Sequence, residues 1–266
     1  MIHRILSVVF IAFLLPILAL AQEISAQHFS NHQVEGSITL YDYKSNQWLY
    51  SDSLDSKLET IPASTFKIIN LLIALETGVI KDQFEVIKWG GTTDTSVYGY
   101  RPNIYRDMNV KEAFELSAGW VFIELSKRIG RGNYQDYLKR CEYGNAEVSE
   151  EPDFWNFGPL LISPREQIEF LVKVHKGQLP FSQRNIDILK SVMTKTITED
   201  YILRGKTGWG WYHGIDSGWW VGYIEKADNI HFFATRLQKS REDKTKNFQS
   251  ARITITDEVL KELGIL

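Results

Sequence analysis

The chain has 266 residues, of which 44% are hydrophobic and 24% are charged, and its formal net charge is −3. A chain of this size and composition can bury a sizeable core, as one domain or as two closely joined subdomains. The near-neutral charge and the lack of any block of Lys or Arg argue against nucleic acid or an anionic membrane surface as a partner.

A basic start and an apolar run that ends at Leu20 open the chain, and Ala19 and Ala21 form a small-x-small site. This pattern predicts a secretory signal peptide over residues 1–21, with cleavage near Ala21. The alternative is an uncleaved membrane anchor, since the apolar run is almost long enough to span a bilayer. Pro16 and the Ala-x-Ala ending favour cleavage, so we expect secretion across the inner membrane into the periplasm, without a stable membrane anchor.

Cysteine and histidine give little sign of redox or metal chemistry. Cys141 is the single cysteine, which excludes an intramolecular disulfide, and we expect it to be a buried small residue rather than a nucleophile. The histidines are scattered, and neither H-E-x-x-H nor C-x-x-C occurs, so no metal site is expected. His28 and His32 have i, i+4 spacing but follow the signal peptide, where a solvated loop is the favoured interpretation.

The first predicted elements are strands. Two β-rich runs, GSITLYDY from Gly36 and QWLYS from Gln47, are separated by three polar residues, which predicts a hairpin. Apolar periodicity of 3.6 residues and Gly or Pro punctuation then predict five helices, over residues 64–77, 110–129, 133–140, 164–175 and 183–195.

Strands return in the last third of the chain. The runs YILRGKTG, SGWWVGYIEK and IHFFATRL have the composition of strands, and a turn at Asp228 and Asn229 joins the last two. A final amphipathic helix is predicted over about residues 250–263.

Strands at both ends with helices between them predict an α/β fold. The terminal segments, about 22–62 and 196–266, are expected to form one mixed sheet flanked by helices, and about 63–195 a mostly helical subdomain. Because no linker or repeat separates the two parts, they are expected to share an interface within a single domain, 22–266. A cleft between such parts is a common site for a small ligand.

The stretch PASTFKIINLLIALETG, from Pro62, places Ser64 and Lys67 at the start of an apolar helix. Residues after Lys67 are apolar nearly all round, which indicates a buried helix, so the amine of Lys67 is expected to be desolvated. A spacing of three brings both side chains to one helical face, where a lysine can act as the base for a serine nucleophile. The helix start also directs backbone N–H groups at a developing anion. Alone, S-x-x-K is expected about once by chance, so its context matters.

The K-T-G run at Lys206, Thr207 and Gly208 ends a predicted strand. With Gly205 it spells G-K-T, but a phosphate-binding P-loop needs a glycine where Asp200 stands, and it needs a following helix rather than a turn and a strand. Taken alone, the run would indicate an ordinary hairpin with an exposed lysine. A Ser-His-Asp triad also lacks its usual sign, because no G-x-S-x-G occurs.

Two further stretches are ambiguous by themselves. Y-G-N at Tyr143 indicates a turn. Trp155 is expected to pack in the core, or to use its single N–H donor to orient a carboxylate-like group.

Taken in chain order, these stretches resemble the class D, or oxacillinase-type, serine β-lactamases, over nearly the whole chain after the signal peptide. S-x-x-K with K-T-G marks the wider penicillin-recognising serine enzymes, whereas Y-G-N and the tryptophan at this spacing are specific to class D. Class A matches less well, because no S-D-N occurs. The resemblance is carried by PASTFK, SAG at Ser117, YGN, FW at Trp155, KTG, GWWVGY at Gly218 and the final SARITITDEVLKELGIL.

The resemblance implies a β-lactamase and penicillin-binding transpeptidase-like fold, and hydrolysis of the β-lactam amide of penicillin-type antibiotics through an acyl-enzyme on Ser64. Lys67 would be buried and neutral, and would react with carbon dioxide to give N6-carboxylysine, the general base. Trp155 would donate its indole N–H to that carbamate, and Ser117 would relay a proton toward the leaving nitrogen. No metal and no cofactor other than carbon dioxide or bicarbonate is implied.

The same resemblance assigns the substrate-binding wall. Lys206, Thr207 and Gly208 would line it, the backbone N–H groups of Ser64 and Trp209 would form the oxyanion hole, and Arg252 would bind the substrate carboxylate.

One position departs from the family pattern. The family has Ser-x-Val at its second motif, and here Ser117 and Ala118 are followed by Gly119. The family's valine sits beside the modified lysine and helps to keep it dry.

Two related functions compete with hydrolysis. A penicillin-binding sensor domain shares the fold and motifs but acylates without turnover, and it normally follows a multi-span membrane region. A peptidoglycan transpeptidase is expected to carry an anchor or extra domains. The expected partners are small-molecule β-lactam substrates, and cleft loops around 98–105 and 209–215 are expected to set the range of β-lactams accepted. The sequence predicts no oligomeric state.

Overall fold

The computed structural model describes residues 23–266, so the predicted signal peptide lies outside the described residues. Its main sheet has six strands, in the order β2-β1-β8-β7-β6-β5. A separate two-stranded ladder joins β3 and β4. In chain order the strands are β1 (Glu35–Asp42), β2 (Gln47–Tyr50), β3 (Val86–Ile87), β4 (Met108–Asn109), β5 (Thr194–Ile197), β6 (Tyr201–Tyr212), β7 (Ile215–Lys226) and β8 (Ile230–Ser240).

The terminal segments form this sheet as the sequence predicts, and the predicted hairpin of β1 and β2 is present. The expectation of a mixed sheet is wrong in one respect, because every strand pair in the sheet is antiparallel. Short turns join β5 to β6, β6 to β7 and β7 to β8, and a short connection permits only antiparallel neighbours, since a parallel pair needs a long crossover.

The described residues contain ten α-helices, most of them between β2 and β5. The helix predicted at 133–140 is α6, the one predicted at 164–175 is α8, and the final helix is α10. The ten are α1 (Gln27–Asn31), α2 (Lys67–Glu76), α3 (Thr95–Tyr98), α4 (Val110–Glu115), α5 (Gly119–Ile129), α6 (Arg131–Cys141), α7 (Phe154–Phe157), α8 (Pro164–Lys176), α9 (Gln183–Met193) and α10 (Phe248–Glu262).

Three predicted helices differ in detail. The first begins as a 3-10 turn, Ala63–Phe66, that continues into α2. The helix predicted over 110–129 is interrupted between α4 and α5, where Ser117 adopts a left-handed backbone with φ of 54°. The helix predicted over 183–195 ends at Met193, and the chain then turns into β5, a strand that the sequence interpretation missed.

Two apolar clusters lie on opposite faces of the sheet. Trp219 and Trp220, neighbours in β7, enter different clusters, as the alternation of side chains along a strand requires. The larger cluster packs α2 and the other middle helices against the sheet, and it also holds the buried Cys141. The smaller cluster packs α10 on the other face.

The N-terminal histidines do not lie in the solvated loop that the sequence favoured. They belong to α1 and its end, which pack on α10 because Phe29 is buried in the smaller cluster. His28 Nε2 lies 2.8 Å from a carboxylate oxygen of Glu262, and His32 Nε2 lies 2.9 Å from one of Glu258.

A close approach of the sheet to the Ala63–Phe66 turn positions the cleft. β5 pairs with β6 only as far as Arg204, so the rest of β6 faces the middle helices. A Cβ atom on Gly208 would lie 3.0 Å from the Pro62 carbonyl oxygen and 3.2 Å from the Thr65 nitrogen. Glycine at this position therefore lets β6 lie directly against the turn that carries Ser64.

Candidate active site

Ser64 and Lys67 meet at the bottom of the cleft. Lys67 Nζ donates a hydrogen bond to Ser64 Oγ at 2.8 Å, and the Lys67 side chain is almost fully buried. The residue before the serine, Ala63, has a φ of 47°, in the left-handed region that a non-glycine residue adopts at a cost of about 1–3 kcal/mol. The predicted pairing of these two side chains is thus present, on a sharply turned backbone.

Burial, together with the smaller effect of the positive charge of Arg101, lowers the pKa of Lys67 from 10.5 to about 7. The ring of Phe122, in α5, lies 5.1 Å from Lys67 Nζ and forms part of the apolar surroundings. A substantial fraction of the amine is therefore neutral near neutral pH, which is the protonation state that a base or a nucleophilic amine needs.

Ser117 and Lys206 form a second contact across the cleft. Lys206 Nζ donates to Ser117 Oγ at 2.5 Å and to the carbonyl oxygen of Thr207 at 2.9 Å, and Thr207 Oγ1 lies 3.5 Å away. Lys206 is 2% exposed, and burial, followed by the charge of Lys67, lowers its pKa well below the ordinary value. The left-handed turn at Ser117 aims its hydroxyl at this amine.

Trp155 lies in α7 and is completely buried. Its ring stacks on Phe66, the residue that precedes Lys67, with centroids 4.7 Å apart and planes 19° apart. Its Nε1 is one of several buried polar atoms that have no hydrogen-bond partner among the described residues. An unpaired buried N–H is costly, so this donor, on a ring that stacks on the residue before Lys67, is available to an acceptor added nearby.

Arg252, on α10, reaches the sheet from the opposite face. Its Nη1 donates to the carbonyl oxygen of Gly208 at 2.8 Å, and burial lowers its pKa to about 10. Arg252 is 8% exposed and is absent from the residues that line the cleft cavity. Its position supports the strand beside the site, and its predicted contact with a substrate carboxylate stays a prediction.

The cleft encloses a cavity of about 590 Å³, large enough for a drug-sized molecule. Ser64, Lys67 and Ser117 lie on its surface, together with Trp209 of β6. Its rim is rich in aromatic rings, of which the principal ones are Trp89, Tyr98, Tyr105, Trp120, Phe157 and Trp211.

The structure thus divides the predicted site residues into two groups. Four of them line the cavity, whereas the other five, Trp155, Lys206, Thr207, Gly208 and Arg252, are not among its lining residues. Lys206 contacts one lining residue, Ser117, and Arg252 contacts the backbone of Gly208. Both segments predicted as cleft loops line the cavity, but the second is the end of β6 and its hairpin turn rather than a loop.

Sequence reasoning missed Phe122 and Arg101. Phe122 follows Ser117 by five residues on an apolar helix face, a signal that predicts burial but not contact with Lys67. Arg101 stands in an irregular segment with no motif, and nothing in the sequence distinguishes it from other surface arginines. In the described part of the chain, no three His, Cys, Asp or Glu side chains gather as metal ligands.

Comparison with known proteins agrees with this geometry. Residues 26–262 match the family described as penicillin binding protein transpeptidase domain. β-Lactamase OXA-48 of Klebsiella pneumoniae is 36% identical over 241 residues, which cover 90% of this chain and 87% of that protein. The crystal structure of a class D β-lactamase from Sebaldella termitidis superposes with a TM-score of 0.85 at 39% identity, and the match covers 92% of this chain and 99% of the other.

A regulatory protein is also similar. BlaR1 of Bacillus licheniformis is 31% identical over 230 residues, which cover 86% of this chain but 37% of that protein. This chain therefore resembles one part of a longer regulatory protein, and resembles OXA-48 over most of its length.

A nucleophilic serine with a buried lysine, opposed by K-T-G on a strand, defines the wider class of penicillin-recognising serine enzymes. Within that class, the chain belongs to the class D β-lactamases. The predictions of a serine β-lactamase and of its transpeptidase-like fold are thereby confirmed. In the part of the chain that the structure describes, no helix has the length and apolar character needed to cross a membrane.

Proposed function

We propose that this chain hydrolyses the amide bond of β-lactam antibiotics through an acyl-enzyme on Ser64, with Lys67 as the general base. The observation that carries the proposal is the 2.8 Å contact between Lys67 Nζ and Ser64 Oγ in surroundings that bring the pKa of the amine to about 7. An ordinary lysine would hold its proton near neutral pH and could not accept the one from serine.

Acylation follows from the positions of four side chains. Lys67 takes the proton of Ser64 as Oγ attacks the carbonyl carbon, and the C–N bond of the β-lactam then breaks. Ser117, whose hydroxyl is held by the Lys206 amine, relays to the leaving nitrogen the proton that Lys67 took from Ser64, so that Ser117 and Lys67 both return to their starting protonation states. Ser64 and Trp209 both line the cavity, and their backbone N–H groups are the proposed oxyanion hole.

Deacylation requires a base that can also activate water. Carbon dioxide, added to the neutral amine of Lys67 with loss of a proton, would supply the negative charge of a carbamate, which is the proposed form of this base in both steps. Trp155 is suited to hold that group, because its buried N–H beside the Phe66–Lys67 turn has no other partner among the described residues. We propose that the protein needs no added group other than carbon dioxide. We also propose that it acts in the periplasm, after export directed by its N-terminal segment.

The decisive experiment measures turnover and the covalent adduct in one preparation. Steady-state hydrolysis of a chromogenic cephalosporin should persist for many turnovers, and intact-mass analysis with a slow substrate should show one adduct. Ser64→Ala should abolish both, because no other hydroxyl in residues 23–266 has Lys67 as its hydrogen-bond partner. An adduct that survives this substitution would refute the assignment of Ser64.

The similarity to BlaR1 supports a second candidate, a sensor domain that acylates without turnover. A stoichiometric burst followed by a stable adduct on Ser64 would identify a sensor, and sustained hydrolysis would exclude it.

A further inference from the structure

The segment of residues 94–105, which contains α3 and a 3-10 turn at Pro102–Ile104, lines the cavity and is held by a hydrogen bond near each end. Near its start, the hydroxyl of Tyr98 donates a hydrogen bond to the carboxylate of Asp153, just before the helix of Trp155. Near its end, the indole N–H of Trp120 donates to the carbonyl oxygen of Ile104 at 2.6 Å.

Arg101 lies between these two attachments and reaches the turn of Ser117. Its Nη2 donates to the carbonyl oxygen of Leu116 at 2.6 Å, and its Nη1 donates to that of Ser117 at 3.4 Å. These two carbonyl groups belong to the interruption between α4 and α5. A planar guanidinium can serve two adjacent carbonyl oxygens at once, whereas a lysine amine acts as a single point of charge.

The turn that Arg101 contacts is strained and needs support. Ser117 is a non-glycine residue with a φ of 54°, and such a conformation persists only where neighbouring groups hold it. Its hydroxyl lies 2.5 Å from Lys206 Nζ, so a small rotation of the turn would break that contact. Both carbonyl groups beside the turn are occupied by one side chain that also lines the cavity.

We propose that Arg101 is a positioning residue for Ser117: its guanidinium holds the carbonyl groups of Leu116 and Ser117, and so keeps the Ser117 hydroxyl on Lys206 for proton transfer during acylation. This inference rests on the proposed function of the site. It assigns to the rim segment a role in the rate of one chemical step.

The charge of Arg101 has a second consequence, because it is a fixed cation near the buried lysines. The charged groups that act on Lys67 and Lys206 are Arg101, Lys195 and Arg252, besides the effect of Lys67 on Lys206. All of these are cations, so each favours a neutral amine at its neighbours. Removal of the Arg101 charge is therefore expected to raise the pKa of Lys67 and to move the acid limb of activity to higher pH.

The test compares Arg101→Gln, Arg101→Lys and the matched control Arg106→Gln. Arg106 lies five residues further along, pairs with Glu112 and makes no contact with the Ser117 turn. Rate constants of acylation and of deacylation are measured separately, with a chromogenic cephalosporin and saturating bicarbonate, and normalised to the fraction of enzyme that forms the adduct.

Both Arg101 variants should acylate about tenfold more slowly than wild type at about pH 8, while deacylation stays unchanged. Arg101→Gln should also move the acid limb of the pH profile to higher pH. Arg101→Lys should keep the acid limb at the wild-type pH but should not restore the wild-type rate of acylation. A general loss of structure would not separate the two steps in this way.

Acylation by Arg101→Gln at the rate of Arg106→Gln would overturn the positioning role. If the acid limb of the pH profile lies at the same pH in Arg101→Gln as in wild type, the proposed effect of the Arg101 charge on Lys67 is overturned. Failure of the wild-type protein to turn over would instead refute the proposed function, and the adduct-based rate of acylation would still report on Arg101.

Discussion

The two sides of the cleft each carry one buried lysine, and the two lysines differ in their hydrogen-bond partners. On the helical side, Lys67 Nζ has one acceptor among the described residues, the hydroxyl of Ser64. On the sheet side, Lys206 Nζ has Ser117 Oγ and two oxygens of Thr207. Both side chains are at most 2% exposed.

An ammonium group has three N–H donors, and each donor that is buried without an acceptor is costly. Burial lowers the pKa of both lysines, to about 7 for Lys67 and well below its usual value for Lys206. The two lysines differ instead in hydrogen bonding, since the N–H groups of Lys206 have three acceptors and those of Lys67 have one among the described residues. The same residue type is thereby suited to act as a base on the helical side, and as a donor that orients a hydroxyl on the sheet side.

The largest expected effect comes from truncation of each lysine in turn. Lys67→Ala should lower steady-state hydrolysis of a chromogenic cephalosporin by about a thousandfold or more, because it removes the base for both chemical steps. Lys206→Ala should lower the acylation rate by roughly tenfold to a hundredfold, because Ser117 loses its orienting partner. Intact-mass time courses separate the variants: any adduct of Lys67→Ala should persist, and that of Lys206→Ala should decay. Equal lifetimes of the two adducts would contradict the division of roles.

A smaller effect is expected from the donor of Trp155. Trp155→Phe keeps an aromatic ring on Phe66 but removes the N–H, so it should raise the bicarbonate concentration for half-maximal activity by about tenfold, the equivalent of one charge-assisted hydrogen bond. NMR with isotope-labelled bicarbonate gives an independent measure of carbamate on Lys67.

Trp220→Phe is the matched control for that substitution. Trp220 is also buried, and its Nε1 also has no partner among the described residues, but it belongs to the smaller cluster on the far side of the sheet. Its loss should leave the bicarbonate requirement unchanged. A similar requirement in the two variants would show that Trp155 acts through packing alone.

The fold was largely predictable because local signals and burial agree along most of the chain. The Ser163 cap before Pro164 starts α8 where the sequence predicts, and the capping box with Glu166 is present. β5 was missed because its four residues continue directly from a helix and take their strand conformation from pairing with β6. The antiparallel pairing of β5, β6, β7 and β8 follows from the short turns between them. The prediction of a mixed sheet used only the order of the elements and did not consider the length of these turns.

The site was predictable where a motif fixes the contact, and unpredictable where folding brings distant residues together. The spacing of Ser64 and Lys67 places them on one face before any tertiary structure is known. The contact of Arg101 with the Ser117 turn depends on the left-handed conformation of a serine, which no local pattern indicates. The position of Arg252 behind β6 likewise depends on how α10 packs, not on its motif.

The smallest expected effect concerns Gly119, where the family has valine. Gly119 and Lys67 line the same cavity, and a Cβ atom built on Gly119 would meet nothing within 4 Å, so no neighbouring side chain occupies the position of the first added carbon. Two effects compete: water in this space stabilises the protonated amine of Lys67, while the same access can speed attack on the acyl-enzyme. We expect the first to dominate, because the neutral amine is needed for every later step.

Gly119→Val should therefore lower the bicarbonate concentration for half-maximal activity, by about twofold to fivefold, which corresponds to a change of less than one unit in the pKa of Lys67. The backbone at Gly119 lies outside the left-handed region and the residue begins α5, so valine fits there without strain. Gly132→Val is the control, since Gly132 also has open space and stands at the start of a helix, α6, outside the cavity lining. If Gly119→Val leaves the requirement as high as Gly132→Val does, then Phe122 already shields the amine, and the missing side chain has no bearing on how Lys67 loses its proton.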